Sequence, residues 1–245
     1  MKAAATPPPD IAFEVVGLAK SFGGIHAVAG VDFAVASREI VGVIGPNGSG
    51  KSTLFNLIAG GIPPDAGRVV LDGRDVTGLG AWRIARAGLG RTFQIPSLFD
   101  NMTARENLLA AAVEGDWRGA PARAQEALEL LRIDHVADHL ASELSGGQQK
   151  LVEFGRVYMR APRLVLLDEV TAGVHYSIRR ILLGALMRLR EAGATFLVIE
   201  HDMELIQEIC DRILVMHQGT LVASGTFEEI AQNHEVQQAY LGRRT

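Results

Sequence analysis

The nine residues Gly45-Pro46-Asn47-Gly48-Ser49-Gly50-Lys51-Ser52-Thr53 constrain this chain more than any others. They fit the spacing G-x-x-x-x-G-K-[ST], and their flanks decide how that spacing is read. Upstream, EIVGVIG predicts a buried strand. Downstream, KSTLFNLIAG predicts a helix that stops at Gly60-Gly61 and Pro63-Pro64. Glycines between a strand and a helix let the backbone wrap a phosphate chain and turn its N–H groups inward. The helix that starts near Lys51 adds the positive end of its dipole. All nine residues are therefore candidate nucleotide contacts. Lys51 brings a charge to the outer phosphates. Ser52 offers a hydroxyl to Mg²⁺, whose other ligands should be oxygens. An ordinary glycine turn with a capping serine is the competing reading.

The rest of the chain alternates in the same way. IAFEVVGLAKSF and AVAGVDFAV read as early strands, and GRVVLDGRDV as strand, turn and the edge of another element. From about Met102 to Ser142 the pattern becomes alanine- and leucine-rich with helical spacing, in TARENLLAAAV and ARAQEALELLRI. A short loop, Gly115 to Pro121, separates the two. This predicts a helical subdomain at about 100–145, inserted into a domain spanning 11–245 and preceded by a flexible tail over 1–10. After Leu144 come helix GGQQKLVEFGRVYMRA, strand RLVLLD, helix SIRRILLGALMRLREAG, strand ATFLVIE and helix DMELIQEIC. A hairpin turning at Gln218-Gly219 and short closing helices follow. Strands alternating with helices imply an α/β fold with a mainly parallel core sheet, whose ligands sit at the carboxyl ends of the strands.

LVLLDE ends on adjacent carboxylates. Asp168 suits a magnesium position, held directly or through water, and Glu169 is then placed to polarise an attacking water. Paired acids in isolation are often no more than a solvated turn. In LSGGQQK, Ser145, Gly146 and Gly147 open a helix and make a second anion site from backbone N–H groups and a hydroxyl. One fold rarely needs two phosphate sites for one nucleotide, so this one is read as serving a nucleotide on another subunit. A plain serine-capped helix start is the alternative.

The spacing of LSGGQQK before the carboxylate strand resembles the signature of the ATP-binding cassette (ABC) ATPases, and the resemblance covers nearly the whole chain. It implies the P-loop NTPase cassette fold: a parallel core sheet, an antiparallel β subdomain and an inserted α-helical subdomain. By the same resemblance, Gln94 in GRTFQ is the glutamine that reaches magnesium and water, and His201 in VIEHDM is the switch histidine that holds the γ-phosphate and water. Phe22 in KSFGG is similar to the aromatic that stacks on adenine, a core phenylalanine being the alternative. The family clamps two ATPs between two head-to-tail cassettes, so a second cassette, identical or different, is an implied partner.

A finer resemblance, carried by FGGIHAVAGVDF, GRTFQIPSLFDNMTARENLL, HQGTLVASGT and the terminal AYLG, is to the larger ATPase subunit of branched-chain amino acid importers. It implies ATP and Mg²⁺ as cofactors, transmembrane permease subunits as partners and, indirectly, an extracytoplasmic solute-binding protein. It also implies a peripheral place on the cytoplasmic side of the cell membrane. Relatives that move urea or short amides share much of this wording.

Composition bears on the alternatives. The net charge of -4 and the lack of heptads argue against a soluble cassette ATPase working on nucleic acid. No apolar run approaches the ~18 residues of a membrane span, so another protein is expected to hold the chain at a membrane. A start with one lysine and no apolar stretch predicts no signal peptide. The single cysteine, Cys210, fits a reducing setting.

A third reading, a cassette with weakened hydrolysis acting as the regulatory half of an asymmetric pair, rests on VTAGVHYSI. The family usually follows Asp-Glu with proline, where this chain has Val170. It also usually places Asp or Asn, then often proline, where this chain has His175 and Tyr176. That loop crosses the dimer interface, so His175 is expected to weaken communication between the two ATP sites without abolishing hydrolysis.

Overall fold

The computed structural model describes residues 10–93, 95–112 and 118–241. Gln94, Pro7-Pro8-Pro9, the first half of the Gly115–Pro121 loop and the end of AYLG lie outside the described residues. An antiparallel sheet is built from β1 (Ile11–Phe22), β2 (Ile25–Ala36), β4 (Ala66–Leu71) and β5 (Arg74–Asp75), in the order β2-β1-β4-β5. A second sheet holds β3 (Ile40–Ile44), β6 (Leu89–Arg91), β7 (Leu164–Asp168), β8 (Thr195–Ile199), β9 (Arg212–His217) and β10 (Thr220–Gly225). Its order is β10-β9-β3-β8-β7-β6, parallel throughout except for β10, which runs antiparallel to β9.

Alternation along the parallel strands makes two cores, because successive side chains point to opposite faces. Val41, Val43, Leu164, Leu166, Leu197 and Ile199 face the antiparallel sheet and α1 (Lys51–Ile58), whose Leu54 and Phe55 are fully buried. Ile40, Val165, Leu167, Phe196 and Val198 face the other way. There they meet Phe154 of α5 (Gly146–Met159) and Leu182 and Leu186 of α6 (Tyr176–Glu191). The same cluster runs on to Leu108 of α3 (Ala104–Ala110) and Leu128 of α4 (Ala120–Leu130). The helical segment thus shares one continuous apolar core with the sheet. Gly155 makes the approach possible: a Cβ there would lie 2.7 Å from Leu108 Cδ2 and 2.9 Å from Leu131 Cδ1.

Local chemistry starts α3. Thr103 Oγ1 accepts from the Glu106 N–H at 3.1 Å, and Glu106 Oε2 accepts from the Thr103 N–H at 2.8 Å. Buried Asn107 then pins the chain before it, accepting from the Phe99 N–H at 2.9 Å and donating to Phe99 O at 3.1 Å.

Two elements went unread in the sequence, α2 (Ala81–Arg86) and β6. At six and three residues they are too short to show a period. The chain closes with α7 (Met203–Ile209), α8 (Phe227–Gln232) and α9 (His234–Leu241). Among the described residues no helix is long and apolar enough to cross a membrane.

Candidate active site

The phosphate-loop residues leave the carboxyl end of β3, which has β9 on one side and β8 on the other. That reversal of strand order is where open α/β sheets bind ligands. Gly50 precedes α1 with φ +105°, and a Cβ there would lie 2.2 Å from Ala27 O, so no other residue fits. Lys51 is buried, and its Nζ donates to Gly45 O at 2.8 Å and Pro46 O at 3.1 Å. Burial pushes its pKa below the usual lysine range, and the negative charges of Glu169 and Asp168 oppose that shift. Ser49 is buried, its Oγ without a hydrogen-bond partner among the described residues.

Register levels the strand ends, since Asp168 on β7 and Val43 on β3 both lie opposite Ile199 on β8. Glu169 turns off β7 with φ +49°, unusual for a residue with a side chain, and its N–H donates to Ile199 O at 2.9 Å. This turn brings Glu169 Oε1 to 2.9 Å from His201 Nε2, just past β8. Both side chains line a cavity of about 550 Å³ together with Asn47 to Thr53. Ile25, His26 and Gln218 line it too. Asp168 lies behind, its Oδ2 3.7 Å from Arg91 Nη2. Burial raises the pKa of its carboxyl, the Arg91 charge lowers it, and Glu169 raises it again.

The loop after Glu169 is held by residues that sequence reasoning left without a role. Val170 is buried beside Phe154, Leu182 and Leu186, which gives the replacement of proline a packing reason. Thr171 donates to Glu200 Oε1 from both N and Oγ1, each at 3.0 Å. Glu200 is buried, and burial raises its pKa. Lys150 Nζ donates to Ala172 O. The one signal of these roles was position: Glu200 precedes His201, and Lys150 closes LSGGQQK.

The loop ends at exposed His175, the N-cap of α6, whose Nδ1 accepts from the Ser177 N–H at 3.3 Å. A backbone N–H can only donate, so Nδ1 is the acceptor and the neutral ring carries its hydrogen on Nε2. Tyr176 beside it is 66% exposed.

Ser145, Gly146 and Gly147 stand apart from the cavity, at the start of α5. Ser145 Oγ accepts from the Gln148 N–H at 3.4 Å, and Gln148 Oε1 accepts from the Ser145 N–H at 2.9 Å. Phe22 is also away from the cavity lining. It is 49% exposed, with the Lys20 ammonium 5.6 Å from its ring centroid, which rules out the core alternative.

A second concavity, a groove of about 460 Å³, opens between the sheet edge and the helical segment. Arg91, Phe93, Glu153, Arg156 and Arg160 line it. Glu153 is buried and accepts from the Phe93 N–H at 3.2 Å. Burial, partly offset by this bond and by Arg156, pushes its pKa up to about 7.

Residues 28–172 match the ABC transporter family. The chain belongs to that family of ATP-binding cassettes. It binds and hydrolyses ATP as the ATP-binding subunit of a transporter. Residues 220–244 match a second family, described as the branched-chain amino acid ATP-binding cassette transporter. The cassette is 40% identical to the high-affinity branched-chain amino acid transport ATP-binding protein BraF of Pseudomonas aeruginosa, over 94% of this chain and 97% of that one. It is 37% identical to the lipopolysaccharide export system ATP-binding protein LptB of Escherichia coli K12, over 92% and 95%. Among solved structures it resembles a nucleotide-free ATP-binding cassette of an ABC transporter, with a TM-score of 0.85 and 32% identity over 94% and 98% of the chains. An ADP-bound cassette matches with a TM-score of 0.84 and 33% identity over 95% and 99%.

The chemistry of the donor set fits Mg²⁺. The Ser52 hydroxyl lines the cavity and Asp168 ends the strand two places from β3. These are oxygen donors, few in number, and Mg²⁺ binds through one or two protein oxygens and phosphates while keeping its waters. No group of three or more His, Cys, Asp or Glu that could hold a metal ion occurs among the described residues.

Proposed function

We propose that the cassette powers an importer for branched-chain amino acids or related small solutes, from the cytoplasmic side of the membrane. The observation that carries the hydrolytic part is the convergence of the phosphate loop, Glu169 and His201 on one cavity. Lys51 and the backbone N–H groups of Gly45 to Thr53 bind the phosphates. Glu169 accepts a proton from the attacking water, and His201 Nε2 orients Glu169 and the γ-phosphate. Ser52 and Asp168 would hold Mg²⁺, with Gln94 as a further contact, and the ion bound there would offset charge on the transferred group.

Ser145, Gly146 and Gly147 serve a second cassette, which is consistent with their absence from the lining of this chain's own cavity. The groove beside Arg91 and Glu153 receives a helix of a transmembrane permease, so closure of the cassette pair becomes a movement of the permease. An extracytoplasmic solute-binding protein supplies the cargo. The resemblance to BraF and the match over 220–244 support the amino-acid cargo. The resemblance to LptB favours a second reading, a cassette of a lipid exporter.

Purification of the complex from membranes, followed by identification of its subunits, separates the two. A permease accompanied by a solute-binding protein supports import, whereas lipid-export membrane subunits would overturn it. Uptake of radiolabelled leucine into vesicles holding the complex then tests the cargo.

A further inference from the structure

Arg91 lines the groove and faces Asp168, the neighbour of the cavity-lining Glu169. It ends β6, whose neighbour Thr92 is buried and donates its N–H to Leu166 O on β7 at 3.0 Å. Thr92 Oγ1 in turn accepts from the Asp168 N–H at 3.4 Å, so the backbone between Arg91 and Asp168 is fastened. The guanidinium is fixed by three different groups. Nη1 donates to Asn56 Oδ1 at 2.8 Å, the carbon Cζ lies 5.0 Å from the Phe93 ring centroid, and Nη2 faces Asp168 Oδ2 at 3.7 Å. Asn56 and Phe93 are themselves walls of the groove.

Two details are unusual. Arg91 Nε is buried with no hydrogen-bond partner among the described residues, a cost that a purely structural arginine has no reason to bear. The approach to Asp168 also stops short of the ~2.7–2.9 Å at which a charged N–H···O bond is strongest. Asn56 and Phe93 therefore set how closely the cation meets the carboxylate. A group that fills the groove meets walls that include those two residues.

We infer that Arg91 is a positioning residue that fixes the Asp168 carboxylate and passes the occupancy of the groove to it. The inference rests on the proposed roles of Asp168 and the groove and deepens them. A guanidinium beside a metal-binding carboxylate holds its orientation, and outer partners of this kind govern metal affinity about as strongly as they govern rate. Lysine keeps the charge but not the planar fork that spans Asn56 and Asp168 together.

The test measures ADP affinity by calorimetry, in EDTA and across a Mg²⁺ series, for the full chain and for Arg91→Met and Arg91→Lys. In EDTA the variants should bind ADP as the native chain does. The Mg²⁺ concentration needed for the linked gain in affinity should rise about tenfold or more in Arg91→Met and less in Arg91→Lys. An unchanged Mg²⁺ series in Arg91→Met overturns the inference. If that variant does not fold, an unchanged series in Arg91→Lys does the same.

A second arm fills the groove. Ala110 is an exposed groove residue. Ala110→Cys, in a Cys210→Ser background, is labelled with a bulky maleimide. The label should shift the Mg²⁺-linked affinity about two- to thirtyfold when Arg91 is present and leave it unmoved in Arg91→Met. A label without effect on the Arg91 chain, or with equal effects on both, overturns the transmission. If permease-bearing membranes fail to stimulate the native chain, it is the proposed function that falls, and both arms still decide the role of Arg91.

Discussion

His201 Nε2 stands 2.9 Å from Glu169 Oε1, across the ends of two neighbouring parallel strands. The contact depends on the left-handed turn at Glu169, which carries the carboxylate off β7 and into the cavity. A carboxylate that takes a proton from water, steadied by an imidazole, accounts for a large part of the rate of such a site. Glu169→Gln should therefore keep ATP binding and lose turnover by roughly 10²–10⁴-fold. ATP-loaded protein should then run as a closed pair of cassettes by size exclusion. Normal turnover in this variant would show that Glu169 is not the base.

Lys51 reaches back to Gly45 O and Pro46 O, so its ammonium sits within the loop proposed to bind phosphate. Lys51→Ala should weaken ADP binding by about ten- to a hundredfold, the value of one or two charge-assisted hydrogen bonds. Calorimetry reads this directly, and thermal melting without nucleotide shows that the fold is retained.

His175 caps α6 through Nδ1 and is exposed. Asparagine can make the same cap, so His175→Asn should preserve stability, whereas His175→Ala should lose about 1 kcal/mol. If the imidazole weakens communication between the two ATP sites, His175→Asn should turn over faster with the permease present. Identical rates would leave the histidine as a tolerated cap.

Glu153 offers a pH test. Its pKa is raised from 4.5 to about 7, so between those values the folded chain holds a proton that the unfolded chain has released. Stability must then fall as pH rises through that window, by an amount on the order of 3 kcal/mol at most. Glu153→Gln keeps an acceptor for the Phe93 N–H and removes the titration. Its melting temperature should vary less between pH 5 and pH 8 than that of the native chain, which differential scanning calorimetry can measure.

How much of this was legible depends on how chemistry is written into a chain. Lys51, Asp168 and His201 stood out because the phosphate, magnesium and switch roles proposed for them call for fixed residue types at fixed offsets from a strand. Val170 and His175 were visible only as departures; their packing and capping reasons lie in partners such as Phe154 and Ser177. Arg91 gave no local signal, since what it does is set by Asp168, tens of positions away, and Glu200 gave only its place before His201. The three-residue strand β6 was hidden for the same reason: pairing with β7, and not its own pattern, makes it a strand.

The helix α5, capped by exposed Ser145, opens with exposed Gly146 and half-buried Gly147 and carries Glu153, Arg156 and Val157 along the wall of the groove. Fourteen residues make a rod about 21 Å long. It is clamped through Phe154 into the shared core, and Gly155 seats it against Leu108 and Leu131. A load applied at one end of such a rod is felt at the other as tilt, with no hinge between. The place where a membrane protein would push and the place where a second cassette's nucleotide would be gripped are thus two ends of one beam.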